Sequence, residues 1–589
     1  MINERINELR QLMKKRQIDA YVVPTSDPHQ SEYLADFYKT REYITGFTGS
    51  AGLAVITKNE AGLWTDGRYF IQAENELKNS EVKLFRMGNK GVPTYYEFIN
   101  NVVQEYGKIG LDGNCFSYHE YKNLLDKIGN KVIISDIDYI GDIWKKRPKE
   151  PNSKAFVLDI KYAGETVSSK LNKIRKEMSS QGIDYTFIGA PEDICYLFNI
   201  RGNDIEYNPV LISYALISKN KATLYISNEK IDKTVKSYLS KNKIELKEYE
   251  EIYEDIKNIP AKSKVYLDPQ RTNVKIYNSF HNNIFIFKGV NYTTKMKAIK
   301  NEVEIENFKK AYIKDGVALV KFFSWLETGI PTGTVTEFNA AEKLLEFRKE
   351  QENFIEPSFG TISAFGANAS MPHYSASSKN YKTITNKGLY LCDSGGHYLE
   401  GTTDITRTIK VGKLTEEEKT HYTYVLKSHI SLISSKFLKG TKSSYLDGFA
   451  RQCLWNQGFD FKHGTGHGVG YLLNVHEGPQ RITNVNNDYA MEKGMTTSVE
   501  PGLYVDGSHG IRIESIVVAV DDIKTQFGEF LSFYNFTVVP IDTRPVIKDL
   551  LTEKEIKWLN DYNKRCYDEL CPYLEGSDLQ YLIKQTEAI

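Results

Sequence analysis

The sequence has no long apolar run, no cysteine framework and no excess of charge of either sign. Nothing in it approaches the roughly 18–20 consecutive apolar residues that a bilayer-spanning helix needs, so a membrane partner is not expected. The six cysteines among 589 residues (Cys115, Cys195, Cys392, Cys453, Cys566 and Cys571) fall at irregular spacings. That is the pattern of reduced thiols, not of a disulfide scaffold, and it points to the cytoplasm. Lysine plus arginine equals aspartate plus glutamate, 76 each, which leaves no global field to attract nucleic acid. The opening MINERINELRQLMKKRQ lacks the apolar core of a secretory signal and reads as a charged helix. The chain is too long for one hydrophobic core, and three or four domains are expected.

A repeat is present. INELRQLMKKRQIDAYVV, from Ile6, matches LNKIRKEMSSQGIDYTFI, from Leu171, at an offset of 165 residues. Asn7 falls on Asn172, Arg10 on Arg175, Met13 on Met178 and Ile18-Asp19 on Ile183-Asp184. Ile6, Leu9 and Met13, like Leu171, Ile174 and Met178, recur at steps of three and four, the period of an amphipathic helix. A β-rich run follows each, at 20–23 and 185–188. The offset is far longer than a solenoid repeat, so it predicts duplication of a whole α/β domain. The first domain is placed at 1–155 and the second at 156–295, with KKRPKEPNSKAF, from Lys145, as the linker. A third region, 296–545, opens on a long helix with the apolar stripe Ile305, Phe308, Tyr312, Leu319, Phe323 and Leu326, stopped by Gly329 and Pro331. Residues 546–589 form a helical extension that starts at a capping box, Thr552 with Glu555, and keeps Ile556, Leu559 and Cys566 on one face. It is expected to dock as an appendage or at a subunit contact; a plain packing helix is the alternative. The fold class is α/β, shading into α+β.

Chemistry concentrates in the third region. In KGLYLCDSGGHYLEGTTDITRTIKVG the runs 389–392 and 405–409 read as strands joined by a glycine-containing loop, so Asp393 and Asp404 can lie side by side. Close carboxylates raise one another's pKa unless cations lie between them; turn capping by DSGG is the alternative. MTTSVEPGLYVDGSHGIRIESIVVAV repeats the logic with strands at 496–499 and 511–520. Glu500 ends one strand, and Glu514 lies within the other, on the same face as Arg512. A guanidinium there would orient metal-bound carboxylates, unless it is a surface arginine. In HGTGHGVGYLLNVHEGP, glycines 464, 466, 468 and 470 argue against a helix carrying His463 and His467. This is therefore not the helical H-E-x-x-H zinc motif; glycines instead let the backbone approach a ligand closely. His476, and His373 in FGANASMPHYSASS, add two imidazoles. Cys392 points away from Asp393 by strand alternation and is read as core. Asp393, Asp404, His467, Glu500 and Glu514 can hold two divalent cations side by side, a hydrolytic arrangement. Oxygen-rich ligation favours Mn²⁺ over a thiolate-type zinc site.

At these residues the chain resembles the pita-bread metallopeptidases, most closely the aminopeptidase P family, X-prolyl aminopeptidases of the cytosolic three-domain type. DAYVVPTSDPHQSEY, FTGSAG and WTDGRYF near the start and RGNDIEYNPV in the middle extend the likeness over nearly the whole chain. The resemblance implies two creatinase-like N-terminal α/β domains followed by a pita-bread catalytic domain. It implies that Asp393, Asp404 and Glu514 hold one ion and Asp404, His467, Glu500 and Glu514 the other, with Asp404 and Glu514 as bridges. His463, His373 and His476 match substrate-handling histidines, the last two near the scissile carbonyl. The implied activity is release of the N-terminal residue from peptides with proline second, with Mn²⁺, Zn²⁺ or Co²⁺ in the site. A cytoplasmic homodimer is expected.

An Xaa–Pro bond is a tertiary amide that offers a protease no N–H, and its ring fixes φ near −65°. The expected chemistry is attack by a hydroxide activated between two cations, oxyanion stabilisation by a metal and a histidine, and proton delivery to the departing proline nitrogen by Glu500. The N-terminal domains carry no ligand set and are expected to narrow access and to help form the subunit contact. Two other readings compete. A prolidase restricted to dipeptides is disfavoured by the length and the duplicated front, as is a methionine aminopeptidase. A peptide-binding module on an inactive peptidase fold is disfavoured by the complete ligand set.

Overall fold

The computed structural model describes residues 2–589. The chain forms two compact units: residues up to Leu158 with Glu165–Thr294, and Asp159–Gly164 with Lys295–Ile589.

The first unit holds the repeat in three dimensions. One six-stranded sheet runs Val82–Arg86, Ala61–Thr65, Leu53–Thr57, Ala20–Pro24, Lys108–Leu111, Val132–Ile134. The other runs Glu245–Lys247, Ala222–Tyr225, Tyr214–Ser218, Tyr185–Ile188, Lys264–Leu267, Phe285–Lys288. In both, the strand after the repeated helix is antiparallel to the neighbour on one side and parallel to that on the other. Strand alternation buries both faces of the first sheet. Tyr21 and Val23 pack with Ile6, Leu9 and Met13 of the helix Ile2–Lys15, whereas Ala20 and Val22 pack with Trp64 and Phe98.

The SDPHQ stretch joins the two halves of this unit. Buried His29 donates from Nδ1 to the Gly189 carbonyl (2.7 Å) and accepts at Nε2 from the Tyr249 hydroxyl (2.9 Å), while Asn273 donates to the Pro28 carbonyl (2.8 Å). Burial lowers the His29 pKa, which suits a neutral ring with one donor and one acceptor nitrogen.

In the second unit the helix Glu302–Gly329 begins at a capping box of Asn301 with Glu304 and buries Phe308, Tyr312, Leu319, Phe323 and Leu326. The strand Leu389–Ser394 lies between Ile362–Phe365 and Ile405–Lys410 in an antiparallel sheet whose register sets Asp393 opposite Thr406. A second antiparallel sheet, Phe437–Leu438, Gly528–Asn535, Ser515–Thr525 and Thr496–Val499, carries the other acidic segment. Asp315, buried in mid-helix, accepts from Arg348 Nε (2.7 Å) and Nη2 (3.1 Å), from Tyr398 (3.0 Å) and from Thr403 (2.8 Å), the residue before Asp404.

Two features depart from the sequence expectation. Residues 511–520 are not one strand: His509–Arg512 pairs with Gly502–Val505, Ser515–Thr525 pairs with Thr496–Val499, and Glu514 occupies the break. The backbone changes partner there, so strand alternation does not put Glu514 and Arg512 on one face. The Asp393–Asp404 connection is more than a loop, because Gly396–Tyr398 and Gly401–Thr402 pair within it. The C-terminal helix Glu553–Leu570 keeps the expected capping box at Thr552 and packs within the second unit, in line with the packing-helix alternative. Its buried Tyr562 donates to the Val539 carbonyl (2.8 Å) and accepts from Arg407 (2.7 Å). All six cysteines are free, and Cys392 is buried as expected. No helix among the described residues is long and apolar enough to cross a membrane.

A neutral, buried His29 has a signed consequence. Below its unfolded-state pKa of about 6.5, the unfolded chain binds a proton that the folded one does not, so this site's stabilisation is lost as pH falls. At pH 8, His29→Gln should cost about 1–3 kcal/mol, read by hydrogen exchange of the strand Ala20–Pro24. The gap between native and variant should narrow toward pH 5; a gap that widens would contradict the assignment.

Candidate metal centre

Two hairpins and a glycine-rich strand converge in the second unit. The register of Leu389–Ser394 against Ile405–Lys410 brings Asp393 beside the start of the second strand, where Asp404 stands. The backbone N–H of Glu514 donates to the Thr406 carbonyl (3.1 Å), which draws the second acidic segment onto the first. Gly466 explains how His467 joins them. A Cβ on Gly466 would lie 2.1 Å from the Ser498 carbonyl oxygen, so only glycine lets Gly466–Gly468 lie against Thr496–Val499. There the N–H of Glu500 donates to the Thr465 carbonyl (2.9 Å), and that of His467 to Ser498 Oγ (3.0 Å).

The five side chains expected to bind metal meet. Donor atoms of Asp393, Asp404 and Glu514 lie within 4.8 Å of one another, and so do those of His467, Glu500 and Glu514. His476 adds a third triplet with Asp404 and His467, although the sequence reading placed it only among the substrate-handling histidines. His467 Nδ1 faces the Gly468 carbonyl (2.9 Å), which only a donor satisfies. The lone pair on Nε2 therefore faces Asp404 Oδ2 (3.5 Å) and Glu500 Oε1 (3.4 Å). Asp393 Oδ1 is buried with no hydrogen-bond partner among the described residues, an acceptor left for a cation.

The electrostatics of this nest are unfavourable by themselves. Burial, then the Asp393 and Glu500 carboxylates, push Asp404 well above the usual carboxylate range. Burial, then Asp404, Glu500 and Asp393, do the same to Glu514. Burial, relieved in part by Arg512, takes Glu500 to about 7. Two divalent cations would reverse each of these shifts, and the oxygen-rich donor set suits hard ions.

Arg512 lies beside the nest. It donates to Asp393 Oδ2 (2.5 Å), to the Tyr504 hydroxyl (2.6 Å) and to the Pro372 carbonyl (3.3 Å). The last bond brings the backbone next to His373 against the same guanidinium. His463 Nε2 also meets the Tyr504 hydroxyl (2.9 Å), and its Nδ1 lies 3.9 Å from Glu500 Oε2. The His476 ring packs edge-on to His467 at 4.3 Å between centroids.

Sequence reasoning missed several braces. Tyr504 stands in the quoted EPGLYVDG run, but nothing local marks its hydroxyl as a bridge between His463 and Arg512. Thr406 donates to Glu514 Oε2 (2.7 Å). Arg407 reaches the Glu514 carbonyl from one side and Tyr562 from the other. Burial takes the His429 pKa down to about 3, and the neutral ring donates from Nδ1 to the Val499 carbonyl (3.1 Å), just before Glu500.

Comparison with known proteins places this geometry. Residues 306–521 match metallopeptidase family M24, residues 5–142 and 146–304 match Creatinase/Prolidase N-terminal domains, and residues 529–589 match the C-terminal region of peptidase M24. Aminopeptidase P2 of Arabidopsis thaliana is 38% identical, with 98% of this chain and 87% of that protein covered. A probable Xaa-Pro aminopeptidase P of Pyricularia oryzae is 40% identical over 98% of this chain and 97% of its own length. The crystal structure of X-prolyl aminopeptidase from Caenorhabditis elegans, described as a cytosolic enzyme with a di-nuclear active site, superposes with a TM-score of 0.95 at 33% identity, covering 100% of both chains. A likeness this extensive, over a nest of that donor chemistry, makes the chain a member of metallopeptidase family M24, in its aminopeptidase P branch.

Proposed function

We propose that this chain releases the N-terminal residue from peptides with proline in second position, using two divalent cations held by Asp393, Asp404, His467, Glu500 and Glu514. The observation that carries the reading is the convergence of these donors within 4.8 Å in linked triplets: Glu514 is shared by Asp393 and Asp404 on one side and His467 and Glu500 on the other, and Asp404 and His467 meet in a third with His476. The Xaa-Pro names of relatives similar over almost the full length support the substrate class. Mn²⁺ is the ion the oxygen-rich set favours. The cytosolic description of the Caenorhabditis elegans enzyme supports a cytoplasmic location. A homodimer is the assembly proposed with it. We also retain the division into domains at 1–155, 156–295, 296–545 and 546–589.

Bound there, the cations would supply a Lewis acid for the scissile carbonyl and a nucleophile at neutral pH. The protein's own groups do the rest. His373 and His476 can donate N–H to the carbonyl oxygen as it gains charge. Glu500, with Oε1 toward His467 and Oε2 toward His463, is the group placed to carry a proton to the departing proline nitrogen. Arg512 keeps a fixed positive charge on Asp393 and so orients that carboxylate. The tertiary amide has no N–H to satisfy, so no acceptor need be reserved for it.

Two measurements test this. Chelation should abolish hydrolysis of an Xaa-Pro-Pro peptide, and Mn²⁺, Zn²⁺ or Co²⁺ added separately should restore it, Mn²⁺ most fully. Turnover of Gly-Pro alone at a comparable rate would favour the prolidase reading instead. The second test is pH-dependent. Carboxyl groups whose folded-state pKa is raised, as with Glu500 at about 7, favour folding while protonated, and that stability is lost as pH rises through the raised value. Metal-free protein should therefore weaken between pH 5 and 8, and the rise in unfolding midpoint on adding Mn²⁺ should grow over that range. At a hundred times Kd the ion should add about 2.7 kcal/mol. A metal-induced gain that is flat or falls with pH would contradict the ligand assignment.

A further inference from the structure

Between the strands Ile362–Phe365 and Leu389–Ser394 the chain makes a long excursion, 366–388, that contains His373. Beyond the short turn Gly366–Ser370 and isolated bridges at Ser377↔Asn380, Thr336↔Thr383 and Lys387↔Lys413, it has no ladder of its own. A side chain that acts on a reacting carbonyl must be held far more tightly than such a stretch holds itself.

One carboxylate holds it. Glu337, the first residue of the helix Glu337–Lys349, is wholly buried. Its Oε1 accepts from the N–H of Phe365 (2.7 Å) and from Asn368 (3.0 Å). Its Oε2 accepts from the Tyr374 hydroxyl (2.8 Å), the N–H of Lys382 (2.7 Å) and Asn368 again (2.9 Å). Glu337 thus grips the excursion where it leaves the sheet, in its first turn, one residue past His373, and on its way back. Capping is not its task, since Thr336 and Asn339 form the capping box of this helix. On the other side, Arg512 holds the Pro372 carbonyl, and Gly510 admits the Ala369 carbonyl so closely that a Cβ would lie 1.7 Å from it. His373 therefore stands between two tethered neighbours, Pro372 on Arg512 and Tyr374 on Glu337.

We propose that Glu337 is a positioning residue for the hydrolytic reaction, acting through the Tyr374 hydroxyl to hold the His373 imidazole at the scissile carbonyl. This rests on the reading of His373 given above. A carboxylate that only stabilised the fold would change unfolding and metal content; one that aims His373 changes kcat through that residue alone.

The test is a double-mutant cycle on the full-length, metal-loaded enzyme with an Xaa-Pro-Pro peptide. Metal content and unfolding midpoint are measured on every variant. Tyr374→Phe should lower kcat about tenfold, with KM within about twofold and two metal equivalents retained. Glu337→Gln, which puts an amide donor among groups that donate to it, should cost about a hundredfold. In a His373→Ala background, Tyr374→Phe should change kcat by less than about twofold. The same loss from Tyr374→Phe in both backgrounds, or no loss in the native one, would overturn the positioning role alone. A His373→Ala enzyme with native kcat would overturn the reading of His373, and this proposal with it.

Discussion

Like charge crowded into a buried site is the constraint to which the catalytic unit answers. Asp393, Asp404, Glu500 and Glu514 bring carboxylates together where little water reaches to screen them, and burial and mutual repulsion drive Asp404, Glu500 and Glu514 upward in pKa. A fold would not keep such a cluster for stability, because unpaired buried charge costs several kcal/mol per group. Divalent cations held between the carboxylates would offset that cost, and their positive charge would supply an activated nucleophile at neutral pH.

Holding the cluster together takes a second layer of polar contacts, most of them spanning long stretches of sequence. The long helix contributes Asp315, which ties Arg348 and Tyr398 to the residue preceding Asp404. The C-terminal helix contributes Tyr562, which meets Arg407 and through it the backbone of Glu514. His429 restrains the carbonyl just before Glu500. Each of these groups fixes a backbone segment that carries a ligand, and a displacement of an ångström would loosen both ion binding and the alignment of the reacting carbonyl.

What could be read from the sequence follows from how local each feature is. The duplicated front was legible because helix period, strand run and matching residues recur together at one offset, and the two sheets share their strand pattern. Asp393 and Asp404 were legible because turn residues and alternating strands are short-range signals. Glu514 was placed within a strand because 511–520 is continuous in composition; only the switch from Gly502–Val505 to Thr496–Val499 as partner breaks it. Thr406 and Glu514 are 108 positions apart, and Arg407 and Tyr562 155. No window-based pattern reaches that far. Glu337 carries no signal in the sequence, since its partners lie in a stretch without periodicity.

Counting bound ions in purified variants is the most direct test of the account. Elemental analysis should find two divalent ions per chain in the native protein, one after Asp393→Asn and none after Asp404→Asn, because Asp404 belongs to both halves of the nest. Native protein saturating at one ion, or Asp404→Asn keeping two, would contradict a shared-carboxylate pair.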